Sequence, residues 1–223
     1  MGDAVIVAID GPAGSGKSTL ARRLAAARGL RFLDTGLLYR AVAARLRATG
    51  DLADDPAAAA AAAASVEPER LDAGALHGEG IGAEASTVAA FPEVRQALLE
   101  LQRRFARTPP GAVLAGRDIG TIVCPDATLK IFITASAEER ARRRFEELRA
   151  RGEAPIYERV LLEVAERDRR DRERAVAPLS VADDAIVIDT STLDVEESFA
   201  AMQAAFTARI GAAGSRSGPN RTP

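Results

Sequence analysis

The chain has 223 residues, 47% hydrophobic and 28% charged, enough apolar content for a buried core and too much for broad disorder. Thirty basic residues stand against 32 acidic ones, so the formal charge of −2 offers nucleic acid no global basic field. A single cysteine, Cys124, excludes an internal disulfide framework and a cysteine-rich zinc site, and a single histidine, His77, removes the usual first choice of general base.

No uncharged apolar run approaches the roughly 18 residues of a membrane span. The first residues lack the basic flank of a secretory signal, and Ile6 stands where a myristoylation motif needs Ser or Thr. The expectation is a soluble cytoplasmic protein. Lys17 and Lys130 are the only lysines, so nearly all the positive charge is arginine, and arginine position rather than number carries information.

In chain order, residues 4–9 form a continuous apolar run, as a central parallel strand buried on both faces requires. A glycine-rich turn follows, then a helical pattern over 17–28 with Leu20 and Leu24 on one side. Residues 31–34 read as a short second strand. Residues 37–49 read as a helix carrying Leu38, Val42 and Leu46, ended by Gly50. Asp55 before Pro56 is a helix opening, N-cap then proline at the first helical position. The eight alanines behind it favour helix and specify little packing.

From 65 to 90 the periodicity fades and glycines gather, which reads as a small, loosely specified insert containing His77. Pro92 opens another helix, with Val94, Leu98, Leu101 and Phe105 at helical spacing. Residues 112–115 and 129–134 read as buried strands, with Cys124 as a small core residue between them. Charged helices are expected over 137–151 and from about 157 to 173, then a strand over 185–189 and a helix over 195–210. The tail 211–223, rich in Gly, Ser, Arg and Pro, reads as disordered. Strands alternating with helices predict an α/β fold, a parallel sheet covered on both faces.

Gly11-Pro-Ala-Gly-Ser-Gly16-Lys17-Ser18 matches the phosphate-binding loop Gly-x4-Gly-Lys-Ser/Thr without a mismatch. Its glycines let successive amide N–H groups turn inward around phosphate oxygens, and the following helix adds its positive end. Lys17 can reach the β- and γ-phosphates, and the Ser18 hydroxyl can ligate Mg²⁺. The chain is expected to bind a nucleoside triphosphate.

A GTPase needs an Asn-Lys-x-Asp segment, and none exists here. Motor and transporter ATPases end an apolar strand in Asp or Asp-Glu, whereas the third strand here runs Ala115-Gly116-Arg117-Asp118. An arginine beside the phosphate loop suits a second phosphate-bearing substrate better than an attacking water. Thr35-Gly36-Leu37-Leu38-Tyr39-Arg40 opens a helix behind a strand, so its amides face an anion in the crevice at the strand ends. Glu166-Arg-Asp-Arg-Arg-Asp-Arg-Glu-Arg174 interleaves five arginines with four acids, a pattern equally served by a solvated helix laced with ion pairs. A phosphate monoester is already a nucleophilic anion near neutral pH, so the scarcity of histidine is no obstacle. Rival readings are a kinase for a hydroxyl metabolite, for which only Asp34 is placed as a base, and a nucleotide-dependent switch or RNA-binding protein. The interleaved acids argue against RNA.

At this point the sequence closely resembles the bacterial cytidylate (CMP/dCMP) kinases of the nucleoside monophosphate kinase family. The resemblance lies in Ala8-Ile-Asp-Gly-Pro-Ala-Gly-Ser-Gly-Lys-Ser18, Leu33-Asp-Thr-Gly-Leu-Leu-Tyr-Arg40, Val88-Ala-Ala-Phe-Pro-Glu-Val-Arg95, Ala115-Gly-Arg-Asp-Ile-Gly-Thr121, Phe132-Ile-Thr-Ala-Ser-Ala-Glu-Glu-Arg140 and Arg167-Asp-Arg-Arg-Asp-Arg-Glu-Arg-Ala-Val-Ala-Pro178. It implies a P-loop kinase three-layer fold over 1–210 with a five-stranded parallel sheet and helices on both faces. It also implies a monophosphate-binding insert at about 50–95, and a lid with its flanking helix at about 149–175.

The implied reaction is Mg²⁺-dependent transfer of the ATP γ-phosphoryl group to CMP or dCMP by a monomer, without nucleic acid or membrane partners. The alternative is a kinase for another monophosphate such as UMP. By the same resemblance Gly11, Pro12, Ala13, Gly14, Ser15, Gly16, Lys17, Ser18 and Thr19 would bind ATP, with Ser18 on the metal. Thr35, Arg40, Arg117 and Arg174 would hold the acceptor phosphate, Arg167 and Asp171 the ribose, and Ser86, Arg95 and Asp118 the cytosine, with Tyr39 beside them. Lys17, Arg117 and Arg174 would be catalytic. Arg142, Arg143, Arg144 and Arg151 are the arginines nearest the lid. The chain departs from the family pattern at 67–86, which is shorter than the usual insert and lacks its alternating strands and an arginine after the isoleucine.

Overall fold

The computed structural model describes residues 4–77 and 80–214, without the side chains of residues 69, 77 and 211–214. Five strands form one sheet: β1 Val5–Asp10, β2 Arg31–Asp34, β3 Gly111–Gly116, β4 Leu129–Thr134 and β5 Ile186–Asp189. Their order is β2-β3-β1-β4-β5 and all pairs are parallel. Parallel neighbours require crossovers, and the chain supplies helices for them: α1 Lys17–Arg28, α2 Thr35–Thr49, α3 Pro56–Ala64, α4 Ile81–Val88, α5 Pro92–Arg107, α6 Ala137–Ala150, α7 Tyr157–Glu173 and α8 Val195–Gly214.

Alternate residues of β1 enter opposite cores. Ile6 and Ala8 join Leu38, Val42, Leu46 and Leu98 beneath α2 and α5, while Val7 and Ile9 join Leu20, Leu24 and Met202 beneath α1 and α8. Both faces are therefore apolar, which is why the run reads as continuous rather than alternating. Cys124 is fully buried in the first core, and burial pushes its thiol up to about 11, which keeps it protonated and unreactive. The α/β expectation holds, with one exception at the sheet edge. There β5 buries only Ile188 and leaves Ile186 and Val187 exposed, since a last strand has covering on fewer sides.

The predicted helix signals act as expected. Gly50 caps α2 at φ 81°, a left-handed conformation that favours glycine, and Asp55 accepts from the Ala57 and Ala58 amides at 2.9 and 3.1 Å. Two boundaries move: α2 begins at Thr35 rather than 37, because Asp34 caps it by accepting from the Gly36 amide, and α8 continues to Gly214. The predicted disordered tail otherwise lies outside the described residues.

The segment 65–90 is more ordered than its glycines imply. It holds 3₁₀ turns at Pro68–Arg70 and Ala75–His77 and then α4, whose Ile81, Ala85 and Val88 are buried. Arg47 of α2 fastens α4 through two 2.7 Å bonds to Glu84. A turn of π-helix at Ile119–Val123, which no periodicity announced, follows β3. The α6–α7 hairpin keeps a small core of its own, Ala141, Val160 and Val164 under Phe145 and Tyr157. Among the described residues no helix is long and apolar enough to cross a membrane.

The alanine run packs after all. Ala59, Ala62 and Ala63 are buried between α2 and α5, where small side chains let the helices approach closely. Ala59→Leu is expected to lower the free energy of urea unfolding by about 1–3 kcal/mol through overpacking. The exposed Ala61→Leu should stay within about 0.5 kcal/mol of the parent. Equal stability of the two variants would show that α3 is not closely packed.

Candidate active site

The loop 11–18 turns between β1 and α1. Gly11 lies so close to β4 that a Cβ there would be 2.0 Å from the Ile133 carbonyl oxygen, so only glycine lets the loop pass. The carbonyl of Ala13 accepts from Arg140 at 3.2 Å, and that of Ser15 accepts from Arg143 and Thr190 at 3.4 and 3.3 Å. With these carbonyls held outward, loop amides remain to face an anion at the head of α1. Lys17 is buried and donates to the Pro12 carbonyl at 3.1 Å. Burial, and then the Arg117 cation, hold its pKa well below the ordinary lysine value. An anion in the loop would favour the charged form of Lys17. Ser18, in the first turn of α1, is half-buried.

A second group of cations faces the same cleft of about 2500 Å³. Arg117, just past β3, donates to Asp171 of α7 at 2.7 Å. Beside it the Arg167 Nε is buried without a hydrogen-bond partner, and burial followed by the Arg117 cation brings the Arg167 pKa down to about 10. Arg174 gives its Nε to the Ala177 carbonyl, while one terminal nitrogen is buried without a hydrogen bond, 3.8 Å from Asp118. Arg40 donates to the Leu76 carbonyl at 3.2 Å, and burial lowers its pKa. Unmet donors in a buried cationic group call for an oxyanion.

Next to them Asp118 forms a close ion pair with Arg95, which also donates to the Tyr39 hydroxyl at 3.3 Å. Ser86 lines the cleft from α4, its hydroxyl bonded to the Gly82 carbonyl at 3.1 Å. Thr35 lines it too, but is buried and commits its hydroxyl proton to the Ala115 carbonyl at 3.0 Å. The structure thus brings residues 13–19 and all the predicted acceptor-side residues to one cleft, while buried Gly11 and Pro12 do not line it and the Thr35 hydroxyl is committed to the sheet.

Of the arginines expected nearest a lid, Arg143 reaches the loop, exposed Arg142 is held on Glu139, and Arg144 and Arg151 share Glu147. Sequence reasoning missed the groups that hold the loop. Arg140 makes a buried two-point pair with Asp168 at 2.9 and 2.5 Å, tying the loop and α6 to α7. Asp10 accepts from the Ile119 and Gly120 amides at 2.8 and 2.7 Å. Helical spacing placed Asp168 and Arg140 on charged faces, and nothing local signals a partner 28 residues away.

Together the fold and this cleft define a P-loop kinase. The cytidylate kinase family model matches residues 7–207, and the chain belongs to the cytidylate kinase family. Cytidylate kinase from Azorhizobium caulinodans is 57% identical over 88% of this chain and 95% of its own length. The cytidylate kinase from Xanthobacter autotrophicus is 56% identical over 92% and 98%. A crystal structure of an uncharacterized protein from Eubacterium ventriosum shares the fold, with a TM-score of 0.54 at 16% identity over 92% of this chain and 99% of its own.

Two stability measurements check this geometry. Asp168→Ala strands the Arg140 guanidinium, 3% exposed, and is expected to cost about 3–5 kcal/mol in urea unfolding; a loss under about 1 kcal/mol would mean that solvent reaches the pair. Burial raises the Asp10 pKa from 3.8 to about 6, so the folded state binds the extra proton in that window. The resulting stability is present below about pH 3.8 and lost as pH rises through 6. Relative to Asp10→Asn, the parent should therefore lose stability between pH 4 and pH 7, and a constant difference between the two would refute the assignment.

Proposed function

We propose that the protein transfers the γ-phosphoryl group of ATP to CMP and dCMP, giving ADP with CDP or dCDP. One observation carries the reading: a phosphate loop ending in Lys17 and a separate set of under-bonded arginines open into one cleft. Two anion sites facing each other suit in-line transfer between two phosphates better than attack by water. Residues 11–19 hold the ATP phosphates. Arg40, Arg117 and Arg174 hold the acceptor phosphate, with Thr35 contributing backbone rather than hydroxyl, and Arg167 and Asp171 hold the ribose.

Base choice follows from Arg95 and Asp118. The carboxylate accepts from the cytosine amino group, and the guanidinium donates to N3 and O2. Uracil turns O4 toward the carboxylate and N3–H toward the guanidinium, at a cost of about 1–3 kcal/mol. Ser86 and Tyr39 complete the wall on which the base rests. This donor and acceptor set favours CMP over UMP.

Catalysis is positioning and charge neutralisation by Lys17, the loop amides, Arg117 and Arg174. The acceptor phosphate needs no base, consistent with a cleft walled by arginines. The half-buried Ser18 hydroxyl suits Mg²⁺, an ion commonly bound through one or two protein oxygens plus substrate phosphates. Mg²⁺ bound with ATP would neutralise charge on the transferred group and the leaving oxygen. Arg143, already against the loop, is the lid-side arginine best placed to reach the donor phosphates. The segment 149–157, between α6 and α7, is the lid that excludes water as the cleft fills.

A single copy furnishes both the phosphate loop and the acceptor arginines, so the assigned reaction needs no second subunit, and we assign action as a monomer. The exposed Arg169 is already bonded to Glu166 and Glu173, which favours small-molecule substrates over nucleic acid. Both substrates are cytoplasmic metabolites, and we assign the protein to that compartment.

A coupled ADP-release assay with Mg·ATP against CMP, dCMP, UMP, dTMP, AMP and GMP tests the reading. Turnover should be fastest with CMP and dCMP, and Lys17→Ala and Arg117→Ala should each lower kcat about 10²–10³-fold. ADP release independent of any monophosphate would refute it.

A further inference from the structure

Asp10 is buried, 5% exposed, one residue ahead of the phosphate loop, and the mechanism above gives it no task. Its surroundings show why it is there. In the β1–β3 ladder Asp10 stands opposite Gly116, so its backbone borders the point where β3 ends. Its carboxylate then reaches past that point, with one oxygen on the Ile119 amide at 2.8 Å and the other on the Gly120 amide at 2.7 Å. Arg117 and Asp118 are the two residues in between. One side chain and its own backbone thus pin both ends of the short turn from which these two side chains project.

Both carboxylate oxygens are occupied by amides, so Asp10 is not disposed to act as a general base. A charge-assisted pair of bonds to consecutive amides holds a backbone more firmly than a neutral acceptor does. The turn needs that hold. Asp118 lies in a close ion pair with Arg95 and 3.8 Å from Arg174, and either cation would draw a loose turn toward itself. The charged groups that act on Asp10 are Asp118, from the turn, and Lys17, from the phosphate loop.

The geometry assigns Asp10 as a positioning residue that sets base selectivity, by fixing where Asp118 meets the acceptor base. The inference rests on the proposed role of Asp118 toward cytosine. Asp10 touches no substrate; it acts through the turn. An error of a fraction of an ångström at Asp118 weakens its bond to the amino group of cytosine and relieves its conflict with O4 of uracil, so the two substrates converge.

The test is the ratio of kcat/KM for CMP to that for UMP, which does not depend on how much of a preparation is active. The full-length protein is compared with Asp10→Asn, Asp10→Ser and Asp118→Asn. Asparagine is isosteric but turns an N–H toward one of the two amides, while serine removes the carboxylate and leaves a single, shorter hydroxyl that cannot hold both amides. Asp118→Asn should lower the ratio directly, and both Asp10 variants should lower it about five- to thirtyfold, whatever their yield or melting temperature. A fall with Asp118→Asn and a parental ratio in both Asp10 variants, with only rate or stability reduced, would overturn the inference and leave Asp10 as a structural residue. An unchanged ratio in Asp118→Asn would overturn the reading of Asp118, and this inference with it.

Discussion

The 2.7 Å contact between Arg117 and Asp171 joins the end of β3 to α7, and the rest of the cleft depends on it. Arg117 raises the electrostatic cost of charge on both Lys17 and Arg167, so the cations clustered there repel one another at close range. Three buried or nearly buried carboxylates in and around the cleft answer that repulsion with particular partners: Asp171 for Arg117, Asp118 for Arg95, Asp168 for Arg140. These acids leave some donors free. The buried nitrogens of Arg167 and Arg174 without hydrogen bonds are where the compensation stops.

The same logic explains where the phosphate loop obtains its shape. Its glycines permit the curl, but Arg140, Arg143 and Thr190 hold the carbonyls that would otherwise compete for the inside. Residues from α6 and the end of β5, far along the chain, therefore complete a motif of eight consecutive residues. Asp168 extends this arrangement to α7, so the helix that carries Arg167, Asp171 and Arg174 is registered against the loop facing it.

Much of this was legible in the sequence, for identifiable reasons. Residues 5–10 are almost wholly buried and 129–134 are buried or half-buried throughout, so composition alone marks them as strands, and Gly50 and Asp55 end and begin helices through local backbone chemistry. The resemblance named Arg95, Arg117, Asp118 and Arg174 because they fall in contiguous motifs, and the fold brings them together. Helix α4 was hidden by flanking glycines, although Ile81, Ala85 and Val88 carry a helical stripe over only eight residues. Asp10 and Asp168 were hidden for a different reason. Their partners are distant in the chain, and a carboxylate committed to a backbone amide or a remote guanidinium looks, in sequence, like any solvated acid. Thr35 shows the converse, a motif residue whose hydroxyl the sheet claims for itself.

The α6–α7 hairpin packs Ala141, Val160 and Val164 under Phe145 and Tyr157, and meets the loop through Arg140 and Arg143. Outside that core the hairpin leaves Ile156 and Leu162 exposed, 55% and 70%, along the cleft. A closing movement that covered them would bury apolar area and so lower the heat capacity. Such a movement would draw on the temperature-dependent hydrophobic effect as well as on ion pairing.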